Sequence, residues 1–188
     1  MNKLPTIHQT RTVATSRLFK IEALDLEFSN GEKREYERLV SIGVGAVLII
    51  PIIHNENGED QILLIREYAA GTERYELGFP KGKVEKGEEI LDAANREIME
   101  EVGFESAKLT LLKKMSLAPG YLGHVTHIIL AEELFEHREP GDEPEEIEVV
   151  PWNIQDVDDL LERDDFSEGR SVAALYLMKN YLNQNSNT

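Results

Sequence analysis

Residues 82–104 read GKVEKGEEILDAANREIMEEVGF, and no other stretch of the chain constrains its fold as strongly. The second half predicts an amphipathic helix. Ile90, Ala94, Ile98 and Val102 recur at four-residue spacing, with Leu91 on the same side, and make an apolar stripe. Glu88 and Glu89 stand where a helix N-terminus favours negative charge. Gly103 followed by Phe104 reads as a left-handed stop with an apolar residue behind it. Glu97, Glu100 and Glu101 are then expected to share one exposed face, because positions three and four apart are neighbours on a helix. Like charges so placed repel by about 0.2–0.5 kcal/mol per pair, and no lysine is interleaved to relieve them. One reading is a solvated helix face. The other is a cation site, in which repulsion becomes coordination; Mg²⁺ prefers carboxylate oxygens.

The full spacing favours the second reading. Position for position the stretch resembles the Nudix box, G-x5-E-x7-R-E-U-x-E-E-x-G-U, where U is a bulky apolar residue. Gly82, Glu88, Arg96, Glu97, Ile98, Glu100, Glu101, Gly103 and Phe104 fill every fixed slot. Seven of those slots admit one residue type; at about 7% usage each, a chance match at a given start is on the order of 10⁻⁸. The resemblance implies an α+β fold, the mixed α/β/α sandwich of Nudix proteins, with the box as a loop–helix–loop.

The rest of the chain is compatible with that fold. Its 188 residues suit one domain of ordinary size plus an extension. A net charge of -16 argues against nonspecific nucleic-acid binding and against an anionic membrane surface. Cysteine is absent, which removes disulfides and thiolate metal sites. The opening MNKLPTIHQT lacks the apolar core of a secretory signal. The longest apolar run, residues 43–53, is too short to span a bilayer and contains Pro51. A cytoplasmic protein without nucleic-acid or membrane partners is the expectation.

Residues 13–39 read as antiparallel strands. Leu24, Leu26 and Phe28 alternate with Asp25 and Glu27, and Asn30-Gly31 supplies a hairpin turn. So small a sheet cannot bury both faces and needs cover from the rest of the chain or from a second subunit. Residues 43–53 and 62–68 predict a hairpin around the polar turn HNENGEDQ; Pro51, having no N–H for a ladder, is expected at a strand end, an edge or a bulge. Residues 69–81, with Gly71, Gly78 and Pro80, read as a loop. Beyond the box, residues 109–117 and 125–134 predict strands separated by APGYLGH, and EHREPGDEPEE an acidic surface loop. Residues 147–150 form a short strand that Pro151 stops, and residues 153–162 a helix. Ser171 caps a last helix whose stripe is Val172, Leu175, Met178 and Leu182. The polar residues after Asn183 are expected to fray. The domain division follows: residues 1–40 as a β extension suited to dimerisation, and residues 41–188 as the Nudix hydrolase domain.

An acidic protein that cleaves a pyrophosphate needs cations, because both approach and bond cleavage are opposed by Coulomb repulsion. Metal ions neutralise the oxygens, polarise phosphorus and supply hydroxide from water. The box implies Mg²⁺, or alternatively Mn²⁺, with Glu97 and Glu101 as ligands and usually Glu100. Glu97 and Glu101 lie one turn apart, a natural spacing for a shared ion. Arg96 is implied to orient a carboxylate, Glu88 or Glu100; the alternative is a plain helix-surface pair worth a few tenths of a kcal/mol. Gly82 has no Cβ, so its backbone can approach an ion and its carbonyl is a further candidate ligand. Lys81 and Lys83 flank it and either meet phosphate or serve as solubility charges.

Outside the box the chain resembles Nudix hydrolases of the ADP-ribose pyrophosphatase type over almost its whole length. The stretches that carry this are TVATSRLFKIEALDLEFSNGEKREYER, LLIREYAAGTERYELGFPKG and SLAPGYLGHVTHIILAEEL. That type has a Ser/Pro/Gly segment downstream of the box, here SLAPGY with Pro119 and Gly120, and an acidic loop D-E-x-E-[DE]-I, here Asp142 to Ile147. The resemblance implies that one loop glutamate acts as base and another as metal ligand, with Glu143 and Glu145 at the matching positions. Pro144 fills the open slot with a residue unusual there and can re-aim both; a solvated acidic loop is the alternative. The catalytic set is therefore Glu100, Glu101, Glu143 and Arg96. The metal set is Glu97, Glu100, Glu101, Glu145 and Gly82. For substrate the candidates are Arg66 and Lys81 toward phosphate and Tyr121 toward adenine. Arg74 is the other arginine near that strand, and Tyr68 and Tyr75 are further candidates to stack on adenine; a tyrosine beside a loop is also a packing residue. His124 and His127 lack a third histidine and read as structural or solvent-facing.

The implied activity is Mg²⁺-dependent hydrolysis of the pyrophosphate linkage in ADP-linked compounds (ADP-ribose, NADH, diadenosine polyphosphates), releasing AMP and a phosphorylated remainder, by a homodimer. Two alternatives stand beside it. GFPKGKVEKGEE also resembles dinucleoside- and inositol-polyphosphate hydrolases, and a Nudix fold can serve as a non-catalytic nucleotide sensor, although sensors usually lose box glutamates. An RNA-end pyrophosphohydrolase is disfavoured by the acidic charge, since RNA binding wants a basic stripe.

Overall fold

The computed structural model describes residues 3–40, 43–55, 58–141 and 143–185. Two compact units emerge from its contacts: the chain up to Gly45 with Ser116–Val125, and Ala46–Met115 with the chain from Thr126 onward.

The first unit is built on three antiparallel strands, β1 (Thr6–Thr15), β2 (Lys20–Glu27) and β3 (Lys33–Leu39), in that order. Strand β1 begins at Thr6 rather than near Val13. Its sequence, TIHQTRTVAT, has no apolar alternation to announce it, and it is exposed along its whole length. The Asn30-Gly31 turn forms as read: Gly31 takes φ +84°, its N–H donates to the Phe28 carbonyl at 2.9 Å, and Asn30 accepts the Glu32 N–H at 3.1 Å. The SLAPGYLGH segment joins this unit. Leu39 donates its N–H to the Tyr121 carbonyl at 2.8 Å and accepts the Gly123 N–H at 3.1 Å. Ala23, Leu24 and Leu26 are buried, whereas Ile7, Val13, Phe19 and Tyr36 are exposed.

The second unit contains β4 (Ala46–Ile53), β5 (Gln61–Ala69), β6 (Arg74–Gly78), β7 (Lys81–Lys83), α1 (Ile90–Glu101), β8 (Phe104–Ser116), β9 (Val125–Glu136), β10 (Glu148–Asn153), a 3₁₀ helix (Ile154–Glu162) and α2 (Gly169–Asn185). The sheet order is β10-β5-β4-β9-β8, with β6 on β5 and β7 on β4. Strand β4 runs parallel to β9 and antiparallel to β5 and β7, so the sheet is mixed. Strand residues alternate between its two faces. Leu48, Ile50, Ile52, Leu64, Ile128 and Leu130 pack with Leu160, Leu175 and Met178 on the α2 side. Val47, Ile49, Leu63, Ile65 and Ile129 pack with Ala94, Ile98 and Val102 on the α1 side. Apolar residues on both faces of the central strands are what two covering layers of helix require. The expected α/β/α sandwich is the fold.

Several local readings change. Residues 69–81 are not a loop: β6 folds back on β5, from Ile65 opposite Gly78 to Ala69 opposite Arg74, and β7 pairs with β4. Pro51 lies inside a buried strand. The Ile49 N–H donates to the Pro80 carbonyl at 2.9 Å, and the β5 ladder begins only at Ile52. Position 51 points the same way as 49, so it falls where β4 passes from one partner to the next and no N–H is needed. Pro151 does not stop β10, which runs through it opposite Leu63 as the outermost strand, where proline is tolerated. The helix after Asn153 is of the tighter 3₁₀ type. Ser171 lies inside α2, fully buried, where its Oγ accepts the Phe79 N–H at 3.3 Å and donates to Glu168 at 2.7 Å. Glu56 and Asn57 of the polar turn, and the residues beyond Asn185, lie outside the described residues.

Candidate active site

Helix α1 ends as expected: Gly103 takes φ +79° and its N–H reaches back to the Ile98 carbonyl at 3.0 Å. Its faces are another matter. The buried side consists of Ala93, Ala94, Glu97, Ile98 and Glu101, while Leu91 is exposed. Glu97 and Glu101 are only 7% and 3% exposed. The exposed face expected for the three glutamates is therefore corrected: at 100° per residue, positions 97 and 101 fall between Ala93 and Ala94, in the middle of the arc that faces the sheet. Glu100 stands at the margin.

Nor are these glutamates without partners. Arg96 donates through Nε to Glu88 at 2.9 Å, through Nη1 to Glu97 at 2.9 Å and Glu100 at 3.1 Å, and through Nη2 to the Lys83 carbonyl at 3.0 Å. It thus joins both carboxylates proposed as its partner and adds Glu97. Glu88 in turn accepts the Glu85 N–H at 2.9 Å, which fastens the loop that enters the helix. Glu101 accepts the Lys81 N–H at 2.9 Å, and Lys81 Nζ pairs with Glu67 at 2.8 Å.

Burial is the largest influence on the two inner carboxyls. It lifts Glu97 to about 7 against the opposing pull of Arg96, with Glu100 and Glu143 adding repulsion. It lifts Glu101 to about 8 against Lys81, with Glu97 and Glu67 adding repulsion. The Arg96 guanidinium is held firmly charged, chiefly by its bonds to Glu88, and the same bonds hold Glu88 below its ordinary range.

A cavity of about 450 Å³ opens over this arrangement, lined by Glu67, Glu85, Glu97, Glu100, Glu101 and Glu143 and by Lys81, Lys83 and Arg96, with Gly82 between. Six carboxylates face three cations, so the cavity favours added positive charge. A Cβ on Gly82 would fill the space that the Glu97 carboxyl occupies. Buried hard oxygens beside a glycine backbone fit a divalent cation of the Mg²⁺ kind. Glu97, Glu101 and Glu100 with the Gly82 backbone are the residues suited to hold one, although among the described residues no three His, Cys, Asp or Glu side chains already converge as a cage.

The remaining candidates separate. Glu143 lines the cavity, and Glu145 does not; Glu145 accepts the Tyr75 O–H at 2.6 Å. Asp142 lies outside the described residues. Arg66 is engaged by Glu148 at 2.9 Å and Asp165 at 2.6 Å, and Arg74 by Glu76 at 2.8 Å. Tyr68 and Tyr75 meet edge to face at 5.7 Å beside a second cavity of about 420 Å³, which Arg66 and residues 143–148 also line. Tyr121 belongs to the first unit, where the residue is 61% exposed. His127 is buried in β9 with Nδ1 3.3 Å from the Ala46 carbonyl, a structural position. Sequence reasoning passed over Glu67. A signal existed: Leu63, Ile65 and Glu67 alternate onto the face of β5 that α1 covers, and a carboxylate ending an inward row marks a site.

The NUDIX domain model matches residues 44–175, and the model of the NudE-type Nudix hydrolase N-terminal domain matches residues 5–38. The chain is 49% identical over 178 residues to the ADP compounds hydrolase NudE of Escherichia coli (strain K12), a match covering 95% of this chain and 93% of that protein. It is 29% identical over 178 residues to the ADP-ribose pyrophosphatase of Bacillus subtilis (strain 168), covering 91% and 93%. Among solved structures it is similar to the crystal structure of an ADP compounds hydrolase, with a TM-score of 0.92 at 47% identity over 100% of this chain and 99% of that one.

Proposed function

The chain belongs to the Nudix hydrolase family, and from that premise we propose that it hydrolyses the pyrophosphate linkage of ADP-linked compounds, releasing AMP and a phosphorylated remainder. The observation that carries the reading is the burial of Glu97 and Glu101 beside Gly82 in a cavity whose carboxylates outnumber its cations. Two relatives that match over nearly the whole chain are named for ADP compounds and ADP-ribose.

Glu97 and Glu101, with Glu100 and the Gly82 backbone, are the residues that would hold Mg²⁺ or Mn²⁺. Bound there, the ion would supply charge neutralisation for phosphate oxygens and a more nucleophilic water. Arg96 fixes the orientation of Glu88, Glu97 and Glu100 at once. Lys81 holds Glu101 through its backbone and offers its ammonium to a phosphate in exchange for Glu67. Glu143 accepts a proton from the attacking water; the new P–O bond forms as the bond to the bridging oxygen breaks, and the bridging oxygen leaves with one of the two products.

The enzyme is a homodimer through its N-terminal sheet, a reading supported by the exposed Ile7, Val13, Phe19 and Tyr36. Among the described residues no helix is long and apolar enough to cross a membrane, and the cytoplasm, where nucleotide pools lie, is the proposed compartment. A product-resolved assay of ADP-ribose, NADH and diadenosine polyphosphates with Mg²⁺ and with Mn²⁺ tests the activity. AMP from at least one substrate, abolished by chelator, supports it; no AMP from any of them with either ion overturns it.

A further inference from the structure

The acidic segment that carries Glu143 is fastened along its length, with the Glu139 N–H donating to the Met99 carbonyl at 3.2 Å. Near the end of β9, His137 Nδ1 bonds Glu105 at 2.6 Å. At the start of β10, Glu148 lies opposite Arg66 in the ladder and accepts its Nε at 2.9 Å. Between these, Glu145 accepts the Tyr75 O–H at 2.6 Å. The donor is itself well placed. Tyr75 lies opposite Tyr68 in the β5–β6 hairpin, and the two rings meet at 69°. A tyrosine has few rotors, so a ring fixed by its neighbour presents the hydroxyl from a defined point.

Only Pro144 separates Glu143 from Glu145, and proline fixes its own φ. The backbone bends at Pro144 and Glu145; the Glu145 carboxylate meets Tyr75, while Glu143 lines both the cavity beside Tyr75 and the cavity of Glu97 and Glu101, where its charge reaches Glu97. A tether at 145 is therefore a constraint on 143. Gly141 adds to it, since a Cβ there would overlap the Glu143 carboxylate.

We propose that Tyr75 is a positioning residue, whose bond to Glu145 holds this bend and so aims Glu143 into the catalytic cavity. The inference rests on the assignment of Glu143 as the base. It gives Pro144 a physical role: a stiff link through which a contact at the β5–β6 hairpin sets the direction of the base.

Tyr75→Phe keeps the ring contact and removes the hydroxyl alone. With ADP-ribose as the probe, kcat is expected to fall about tenfold, in keeping with the cost of displacing a catalytic group by a fraction of an ångström, while KM stays within about twofold. Amide hydrogens of residues 145–147 are expected to exchange at least about threefold faster. In a Glu143→Gln background the same substitution is expected to cost no further rate, because the two act on one element. Unchanged amide exchange overturns the role of Tyr75, as does a rate loss that persists in the Glu143→Gln background. Full activity of Glu143→Gln alone overturns the base assignment instead, so the two failures are told apart.

Discussion

The carboxyl group of Glu97 occupies the space in which a side chain at Gly82 would begin. Strand β7 and helix α1, the two ends of the box, are thereby interlocked at the point where a cation would be held. Gly82→Ala is expected to drive Glu97 from its position against Arg96 while leaving the β7–β4 pairing of Gly82 with Val47 in place. Turnover should fall by at least about 10²-fold, with a stability loss of about 1–3 kcal/mol from overpacking. Steady-state kinetics and denaturant unfolding measure the two, and a variant with near-native turnover would contradict the interlock.

Glu101→Gln separates activity from stability. The amide keeps an oxygen for the Lys81 N–H but carries no charge. Turnover is expected to fall by at least about 10²-fold, the scale of losing a preorganised charge. Stability in the presence of chelator should not fall, since burial first, and the repulsion of Glu97 and Glu67 after it, already disfavour the charged form of Glu101 that the substitution removes. A melting scan in EDTA and a kinetic titration with Mg²⁺ check both halves; an active variant ends the assignment.

Much of this site was legible because the box couples residue type to helix register. The stop at Gly103 follows from glycine's ease at positive φ, the pairing of Arg96 with Glu88 and Glu100 from the resemblance to the box, and the antiparallel pairing of β4 with β5 from two β-rich runs about a polar turn. The inward placement of Glu97 and Glu101 does not follow in this way, because charge ordinarily signals exposure, whereas the wheel places both among alanines small enough to let the helix approach the sheet. Strands β6 and β7 were hidden for a different reason: RYELG and KGK are too short for a period, and the Gly and Pro around them signal turns. The partnership of Glu67 with Lys81 and the aim of Glu143 come from tertiary pairing, which no local pattern encodes.

Asp165 links the last part of the chain to β5, accepting from Arg66 at 2.6 Å and from Arg163 at 2.8 Å. Its bonds to Arg163 first, and to Arg66 next, hold its carboxyl down to about 2 from 3.8. A folded-state pKa below the unfolded value means that the contribution is complete above about pH 4 and is lost as pH falls toward about 2. Asp165→Asn should therefore be less stable than wild type by about 1–2 kcal/mol at pH 7, a difference that disappears near pH 2. Urea unfolding at both pH values tests this; a difference that persists at low pH would assign it to packing.

The N-terminal sheet gives a test of assembly. Val13 and Phe19 are exposed apolar residues of the first unit. If that sheet pairs two chains, sedimentation at micromolar concentration gives a dimer mass, and Val13→Glu with Phe19→Glu shifts it toward monomer. A monomer for the unsubstituted chain refutes the dimer outright.

Glu143 and the helix glutamates face one cavity, yet the roles proposed for them predict opposite responses to metal. A base must reach the water with little displacement and loses its function when it can no longer take a proton. A ligand acts by holding charge, so its loss weakens metal binding and excess metal compensates in part. Glu143→Gln should accordingly lower kcat by about 10²–10⁴-fold while the Mg²⁺ concentration for half-maximal rate stays nearly unchanged. Glu97→Gln should raise that concentration and recover part of its rate at high Mg²⁺. Measuring rate against Mg²⁺ for both variants decides the matter. If Glu143→Gln stays within about threefold of wild type, well under the range for general base catalysis, the proton acceptor belongs to the box. Glu100 is then the first residue to test, because it borders the same cavity and is already oriented by Arg96 at 3.1 Å.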